Sequence, residues 1–197
     1  MPGVTPLSAD GRARRSQRSR SAIVDAVYAL VGEGIVQPTA QQVAERAGVG
    51  LRSVFRHFSD MESLLAEVDQ RVRAQALPLL ETEPPRGSRT ERARALMERR
   101  VRLFEQIAPY KRSGRVHRWR SEFVARNHVQ LARALRTDLL RALPELRDAA
   151  ADVVEALDVA LSFESWDRMR TDQRLGRERA SAALERTVFA LLAEVRS

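Results

Sequence analysis

The sequence predicts an all-α protein. Only eight prolines and nine glycines interrupt its 197 residues, and between them lie long segments rich in Ala, Leu, Arg and Glu. These residue types favour helices, and the apolar residues recur three and four positions apart, the spacing of one helical face. Alternating patterns typical of strands are nearly absent. The expected architecture is an N-terminal three-helix domain with a helix-turn-helix, followed by a larger helical C-terminal domain.

The first helix is predicted to run from about Arg18 to Gly32. Glycines at 32 and 34 end it, because glycine readily adopts the backbone found just beyond helix C-termini. Residues 1–15 carry several arginines and no apolar stripe, so we expect a disordered basic arm there. The apolar stripe of the helix itself consists of Ile23, Val27, Leu30 and Val31.

Two short helices are expected next, separated by a tight turn. The run Thr-Ala-Gln-Gln at 39–42 has the pattern of a capping box, in which Thr39 accepts from the backbone N–H of Gln42 and the Gln42 side chain reaches back. The helix that begins there is short, because Gly48 supplies the left-handed backbone of a turn. The following helix is predicted over about 51–58.

A fourth helix is predicted to begin at a second capping box, at 59–62, and to run toward Leu77. Pro78 and the segment 84–88 then break the chain, so we place a domain boundary at this point. The expected domains are 16–76 and 77–197, and the expected helices of the second are about 89–107, 115–143, 146–170 and 177–195, with breaks at Pro109, Gly114, Pro144 and Gly176.

Charge and composition narrow the class of partner. The formal net charge is +8, which favours a polyanion, and nucleic acid is the first candidate. The chain has no cysteine, which excludes disulfides and thiolate metal sites and fits a reducing cytosol. Because no stretch resembles a signal peptide or approaches the length of a membrane span, we expect a soluble, cytoplasmic protein.

The spacing of helices over 39–58 is that of a helix-turn-helix, in which the second helix lies in the DNA major groove. Apolar residues on both helices can close a small core beneath it: Val43, Ala44, Ala47, Val49, Val54 and Phe58.

The remaining positions of the second helix are expected to face outward. They offer arginines for guanine edges or phosphates, a hydroxyl for either, and an apolar group for a thymine methyl. These positions are Gly50, Leu51, Arg52, Ser53, Arg56 and His57. Phe55 is interpreted as either core or backbone contact, and an exposed face without a partner is the alternative for Arg52, Ser53 and His57. Thr39 and Gln41 complete the expected DNA contacts on the preceding helix.

Three short motifs are similar to the signature of the TetR family of transcriptional regulators. They are Ala-Gly-Val-Gly at 47–50, Ser-Val-Phe-Arg-His-Phe at 53–58 and Glu-Ser-Leu-Leu at 62–65. The similarity covers roughly residues 18–68, and the later helices match the family only in number and length. It implies a sequence-specific DNA-binding protein, most often a dimeric repressor that a small-molecule effector releases from its operator.

The chain departs from that family at two positions. The family usually has tyrosine where this chain has Phe55 and lysine where it has Met61, and both commonly touch DNA phosphates. Arg52, Arg56 and the arginines of the N-terminal arm are expected to compensate. Among the arm residues we expect phosphate contact from Arg18 and Arg20, and a solvated tail from Arg12, Arg14 and Arg15.

A single helix-turn-helix reads few bases, so such proteins usually dimerise and place two recognition helices about 34 Å apart on a palindromic operator. The resemblance implies an interface built from the last two helices of each subunit. The residues expected there are Val154, Leu157, Leu161, Leu184, Val188 and Leu191. Packing inside one chain is the alternative for each of them.

The resemblance also implies that a small-molecule effector binds among the helices of the second domain. Five large aromatic side chains are the candidates for its site, and ordinary core packing is the alternative. They are Phe104, Trp119, Phe123, Phe163 and Trp166.

An enzymatic function is not expected. The three histidines have no metal-binding spacing, and the sequence contains no nucleophile elbow, phosphate loop or dinucleotide fingerprint. We therefore expect no catalytic residues, metal or cofactor. Two other interpretations stay open: a basic protein that coats DNA without sequence preference, and a helical binding or enzyme domain that retains a vestigial helix-turn-helix.

Overall fold

The computed structural model describes residues 7–58, 61–115 and 121–195, and every regular element in these ranges is helical, as the sequence predicted. None of these helices is long and apolar enough to cross a membrane. The α-helices are α1 Leu7–Gly32, α2 Ala40–Ala47, α3 Leu51–His57, α4 Met61–Ala76, α5 Arg89–Arg115, α6 Glu122–Ala142, α7 Ala151–Ala160, α8 Phe163–Asp167 and α9 Arg177–Leu192. Short 3-10 helices span Leu77–Leu79 and Pro144–Arg147, and a π-helix spans Arg168–Asp172.

The described part of the chain folds as two compact units. The first contains residues up to Arg73 together with residues from 109–124, and the second contains 74–108 and residues from 125 onward. The first break lies close to the domain boundary expected from the sequence. The return of 109–124 to the first unit was not expected, and one of its causes is Tyr110, whose ring stacks on Tyr28 with 4.6 Å between centroids.

Helix α1 begins at Leu7, so the prediction of a disordered arm is wrong for residues 7–15. Residues 1–6 lie outside the described part of the chain. Helix propagation explains the difference, because each residue added to an existing helix gains one backbone hydrogen bond without a new nucleation cost. The amphipathic segment from Ile23 onward is anchored in the core and supplies that nucleus.

The core of the first unit lies among α1, α2, α3 and α4. As predicted, Val43 and Ala44 of α2 and Val54 and Phe58 at α3 are buried in it, with Ala47 and Val49 partly buried against them. The residues that α1 and α4 contribute are Ile23, Val24, Ala26, Val27, Leu30, Val31, Leu64 and Val68.

Helix α5 runs through Pro109 and Gly114, so the predicted breaks at these two residues are wrong. A proline inside a helix removes one backbone donor and costs about 3 kcal/mol. Packing after the proline opposes that cost, since Tyr110 contacts both Tyr28 and the core of the first unit. Helix α6 accordingly starts at Glu122 rather than Arg115, and 116–120 are not among the described residues.

The single helix predicted over 146–170 is divided. Helix α7 ends at Ala160 and α8 begins after Ser162, whose hydroxyl accepts from the backbone N–H of Ser165 at 3.2 Å and donates to the carbonyl of Val159 at 2.7 Å. A serine that bonds its neighbouring backbone in this way favours a helix start over a helix interior. Ser162 therefore separates the two helices.

Two arginines and one aspartate are buried together in the second unit. Arg99 donates to Asp138 at 2.6 Å, and a guanidinium nitrogen of Arg100 lies 3.3 Å from the other carboxylate oxygen. Arg100 also donates to the carbonyls of Leu135 and Leu161, so it joins α5 to α6 and to the end of α7. Burial lowers the pKa of Arg100 to about 10, with the charge of Asp138 opposing that shift. Arg100 therefore stays charged at neutral pH and needs a counterion.

Replacing Asp138 with asparagine is expected to lower the free energy of unfolding by about 3–5 kcal/mol, because two buried guanidinium groups lose their shared countercharge. Urea unfolding at neutral pH measures the change. The matched control is Glu155→Gln, which breaks the exposed pair with Arg136 and is expected to cost less than about 1 kcal/mol. Equal losses of unfolding free energy in the two variants would show that the buried cluster contributes no more to stability than an exposed ion pair.

Candidate nucleic-acid interface

The start of α2 is held by the capping box that the sequence predicted. Thr39 Oγ1 accepts from the backbone N–H of Gln42 at 3.2 Å, and the Thr39 N–H donates to Gln42 Oε1 at 2.9 Å. Both bonds satisfy backbone or side-chain groups that would otherwise face water at the helix end. The direction of α2 is thus set within four residues.

The turn between α2 and α3 depends on Gly48, whose φ is +65°, in the left-handed region, as predicted. Its N–H donates to the carbonyl of Glu45 at 3.3 Å, and the N–H of Val49 donates to that of Ala44 at 3.1 Å. This pair of bonds is a Schellman motif, which ends a helix sharply. Gly50 then returns to extended backbone and α3 begins one residue later.

Helix α3 has one buried and one exposed face. Val54 and the following Phe58 face the core, while Leu51, Arg52, Phe55 and Arg56 are exposed. The exposed residues lie one helical turn apart, so they form a single surface. Phe55 is 60% exposed and Leu51 40%, which means that Phe55 belongs to the surface and not to the core. An apolar surface flanked by two arginines matches the mixture of methyl groups and acceptors in a major groove.

Ser53 and His57 are less exposed than their neighbours on α3. Arg56 donates to the Ser53 hydroxyl at 3.4 Å. His57 Nε2 is buried without a hydrogen-bond partner, so the outward orientation predicted for His57 is wrong for this nitrogen. Burial, followed by the charges of Arg56 and Arg20, lowers the pKa of His57. Because its usual pKa is already below neutrality, the imidazole is uncharged at pH 7.

The other predicted DNA contacts lie on α1 and at the start of α2. Thr39 and Gln41 are exposed, with Gln41 donating to Glu45 at 2.7 Å. Arg18 is exposed and donates only weakly, at 3.4 Å, to a carbonyl of its own helix. Arg14 and Arg15 are exposed as well, and the side chains of Arg12 and Met61 lie outside the described residues.

Arg20 differs from the other arginines of α1. It donates to the Glu67 carboxylate from two nitrogens and to the carbonyl of His57 at 3.2 Å. Its guanidinium also lies over the ring of Phe58, 4.8 Å from the centroid. The Arg20 side chain is therefore engaged within the protein, and the phosphate contact predicted for it stays a prediction. No local pattern reveals this, since Glu67 is 47 residues away in sequence.

The residues predicted at a dimer interface lie mostly inside the second unit. Five of them are at most 6% exposed in the single chain, which leaves them no surface for a second subunit, so core packing describes them. They are Val154, Leu157, Leu161, Leu184 and Val188. Leu191 is partly exposed, and its interface role stays a prediction. An amphipathic pattern indicates which face of a helix is apolar, but it does not indicate whether that face packs against the same chain or a second subunit.

The structure describes four of the five aromatic residues predicted to bind an effector, and these four are divided between the two units. Phe104 and Phe163 pack edge to face with 5.8 Å between centroids, and the indole N–H of Trp166 donates to Glu105 at 2.9 Å. All three are buried in the second unit, whereas Phe123 belongs to the first. Trp119 lies outside the described residues, and ligand contact by any of these residues stays a prediction.

A groove of about 370 Å³ lies between α5 and α9, and none of the four described aromatic residues lines it. Its apolar lining is Met97, Val101 and Leu184, and its polar lining is Arg94, Glu98, Arg102, Arg177, Ser181 and Glu185. The sequence patterns did not single out this groove, because its lining comes from two helices about 80 residues apart.

Comparison with known proteins agrees with this geometry. Residues 23–68 match the family model of bacterial regulatory proteins of the tetR family. No match to the chain was found among curated proteins.

Three solved structures share the fold at low identity. A transcriptional regulator from Rhodococcus sp. RHA1 has 19% identity and a TM-score of 0.64, over 90% of this chain and 96% of its own. A proposed TetR-family regulator from Rhodococcus has 17% identity and a TM-score of 0.63, over 88% and 98%. The multidrug binding protein EbrR, solved with imidazole, has 21% identity and a TM-score of 0.52, over 85% and 93%.

The matched segment spans α2 and α3 with most of the core that supports them. The shared fold extends over most of the chain, which includes the second unit. Residues 23–68, which hold the helix-turn-helix, therefore match bacterial regulatory proteins of the tetR family, and most of the chain shares its fold with two transcriptional regulators from Rhodococcus.

Proposed function

We propose that this protein is a TetR-family transcriptional regulator, a dimeric repressor that reads a palindromic operator through α3 and is released by a small-molecule effector. The observation that carries the proposal is the exposed face of α3, where Leu51, Arg52, Phe55 and Arg56 stand over a buried core. An α-helix with its side chains is about 10–12 Å across, which suits a major groove about 12 Å wide.

The chemistry of that face supports reading of bases beyond attraction to phosphate. An exposed phenylalanine and leucine gain nothing from phosphates, whereas they pack well against a thymine methyl group or sugar. Arg52 and Arg56 add donors for guanine edges. A protein that coats DNA without preference needs the charge but not the exposed apolar side chains.

Dimerisation would use the faces of α7 and α9 that a single chain leaves uncovered. Val159 of α7 is 66% exposed, the largest exposure among the large apolar side chains of the described residues. The exposed residues at α9 include three alanines, whose small side chains allow helices to approach closely, together with Arg186 on the same face. The alanines are Ala182 and Ala190 within the helix and Ala193 directly after it. We expect the interface on this surface, because most of the stripe residues predicted from the sequence are buried within the chain.

The second unit would hold the effector. Two observations support that role: the α5–α9 groove has a volume within the range of small-molecule sites, and EbrR, which shares the fold, was solved with imidazole bound. The groove residues and the buried aromatic pair Phe104 and Phe163 are the two candidate locations. Titration of the DNA complex with small molecules, with release from DNA as the readout, identifies an effector. Repeating the titration with proteins substituted at one location or the other then shows which location binds it.

Competition binding tests the proposed function directly. The wild-type chain is titrated onto labelled DNA from upstream of its own gene, with unlabelled copies of that DNA or random DNA as competitor. We expect the matching competitor to displace the protein at a concentration at least ~1,000-fold lower than random DNA, the ratio typical of specific binding. Equal displacement by random DNA would refute a sequence-specific regulator.

Replacing Arg52 with alanine is expected to relax specificity at one position of each half-site by about 1–3 kcal/mol, because a guanine contact is lost. Binding to a set of single-base operator variants measures this change. Arg18→Ala is the matched comparison: it is expected to weaken all sequences alike and to reduce the salt dependence by about one counterion. A uniform loss for Arg52→Ala would contradict base reading.

Replacing Val159 with aspartate is expected to convert the dimer to a monomer, because a charge would be buried at the subunit contact. Light scattering after gel filtration measures the mass. Val129→Asp is the control, since Val129 is also an exposed apolar residue, at 46%, but lies on α6. A Val159→Asp protein that stays dimeric would remove α7 from the interface.

A further inference from the structure

Helix α3 is too short to hold its own position. It has seven residues, and because its N-cap residue is Gly50, no side chain caps its first turn. Isolated helices shorter than about 12–15 residues are marginal in water, so the direction of α3 depends on contacts with other elements. Val54 and Phe58 provide the apolar contact. The C-terminal end has a polar contact as well, and it comes from α1.

That contact is made by Arg20, which meets three elements at once. One guanidinium nitrogen donates to the carbonyl of His57, the last residue of α3, at 3.2 Å, and Nε donates to Glu67 of α4 at 2.6 Å. The third nitrogen also contacts Glu67. The carbonyls at a helix C-terminus lack partners within the helix, and a cation there is favourable for the helix dipole.

The planar guanidinium is required for this arrangement. Its nitrogens point in fixed directions, so one side chain can bind a carboxylate with two nitrogens and a carbonyl with the third. Its flat face covers the ring of Phe58, the residue directly after α3. A lysine ammonium would keep the charge but could not hold these acceptors in the same geometry.

We propose that Arg20 is a positioning residue, which with Glu67 sets the orientation of the recognition helix α3 instead of binding a DNA phosphate. This inference rests on the proposed function for its DNA readout. The two roles predict opposite effects when Glu67 is replaced by glutamine. A phosphate-binding Arg20 would be freed by the loss of its carboxylate partner, and binding to DNA would tighten. A positioning Arg20 would lose its anchor, and binding to the operator would weaken.

The test compares operator and random-DNA binding by full-length wild-type, Glu67→Gln and Arg20→Lys proteins. We expect each variant to bind the operator about tenfold more weakly. Binding to random DNA, which depends on charge, should change less than about twofold for Arg20→Lys. The double variant should be little weaker than either single one, because both break the same contact. Glu67→Gln protein that binds the operator as tightly as wild type, or more tightly, overturns the proposal.

A matched control exists within the same pair of helices. Asp25 of α1 pairs with Arg71 of α4, and their side chains are partly exposed, as are those of Arg20 and Glu67. Within the described part of the chain, no hydrogen bond or ion pair joins Asp25 or Arg71 to α3. Asp25→Asn is expected to leave operator affinity unchanged. A loss equal to that of Glu67→Gln would mean that joining α1 to α4 is what matters and would overturn the specific role of Arg20.

Hydrogen exchange in the free protein gives a second measurement that needs no DNA. We expect the α3 amides to exchange at least about fivefold faster in Glu67→Gln than in wild type, while those of α2 stay within twofold. The binding and exchange measurements test different hypotheses. A wild-type protein that shows no preference for the operator in the binding assay refutes the proposed function. Unchanged exchange of the α3 amides in Glu67→Gln refutes the positioning role of Arg20. Circular dichroism confirms that each variant is folded at the assay temperature.

Discussion

The short length of the recognition helix is the constraint on which the DNA-binding unit depends. Seven residues make too few internal hydrogen bonds to persist in water, so α3 needs partners on every side that does not face DNA. The turn at Gly48 sets its beginning, the burial of Val54 and Phe58 sets its rotation, and Arg20 holds its end. The exposed side chains keep a defined geometry only because these contacts restrain the backbone beneath them.

Arginine has at least three distinct uses in this chain, although the sequence presents all of them as the same residue type. Arg52, Arg56 and Arg18 are exposed to solvent, where an anion can reach them. Arg20 is half-exposed and joins three elements. Arg100 is fully buried, and its charge is balanced by Asp138 and by backbone carbonyls. These arginines differ in their partners because they differ in their access to water. Water solvates an exposed guanidinium, whereas a buried one needs hydrogen-bond partners and a countercharge within the protein.

The second unit illustrates the limits of amphipathic patterns. The stripes on α7 and α9 are apolar as expected, and each can be satisfied by a neighbouring helix of the same chain or by a second subunit. In this fold the stripe residues pack inside the chain. The same reasoning applies to Phe104, Phe163 and Trp166, which fill the interior. Composition and spacing indicate how much apolar surface must be buried. They do not indicate whether a helix of the same chain or a second subunit buries it.

The sequence by itself determined the features that depend on neighbours along the chain. The helical class, the capping box at Thr39, the left-handed turn at Gly48 and the buried positions of the helix-turn-helix all follow from interactions within a few residues. Only the tertiary structure decided the features that depend on distant residues. Arg20 meets Glu67 across 47 positions, α5 continues through Pro109 where Tyr110 contacts Tyr28, and the α9 stripe is buried. Such contacts leave no local signal, because they are selected by the three-dimensional packing of whole helices.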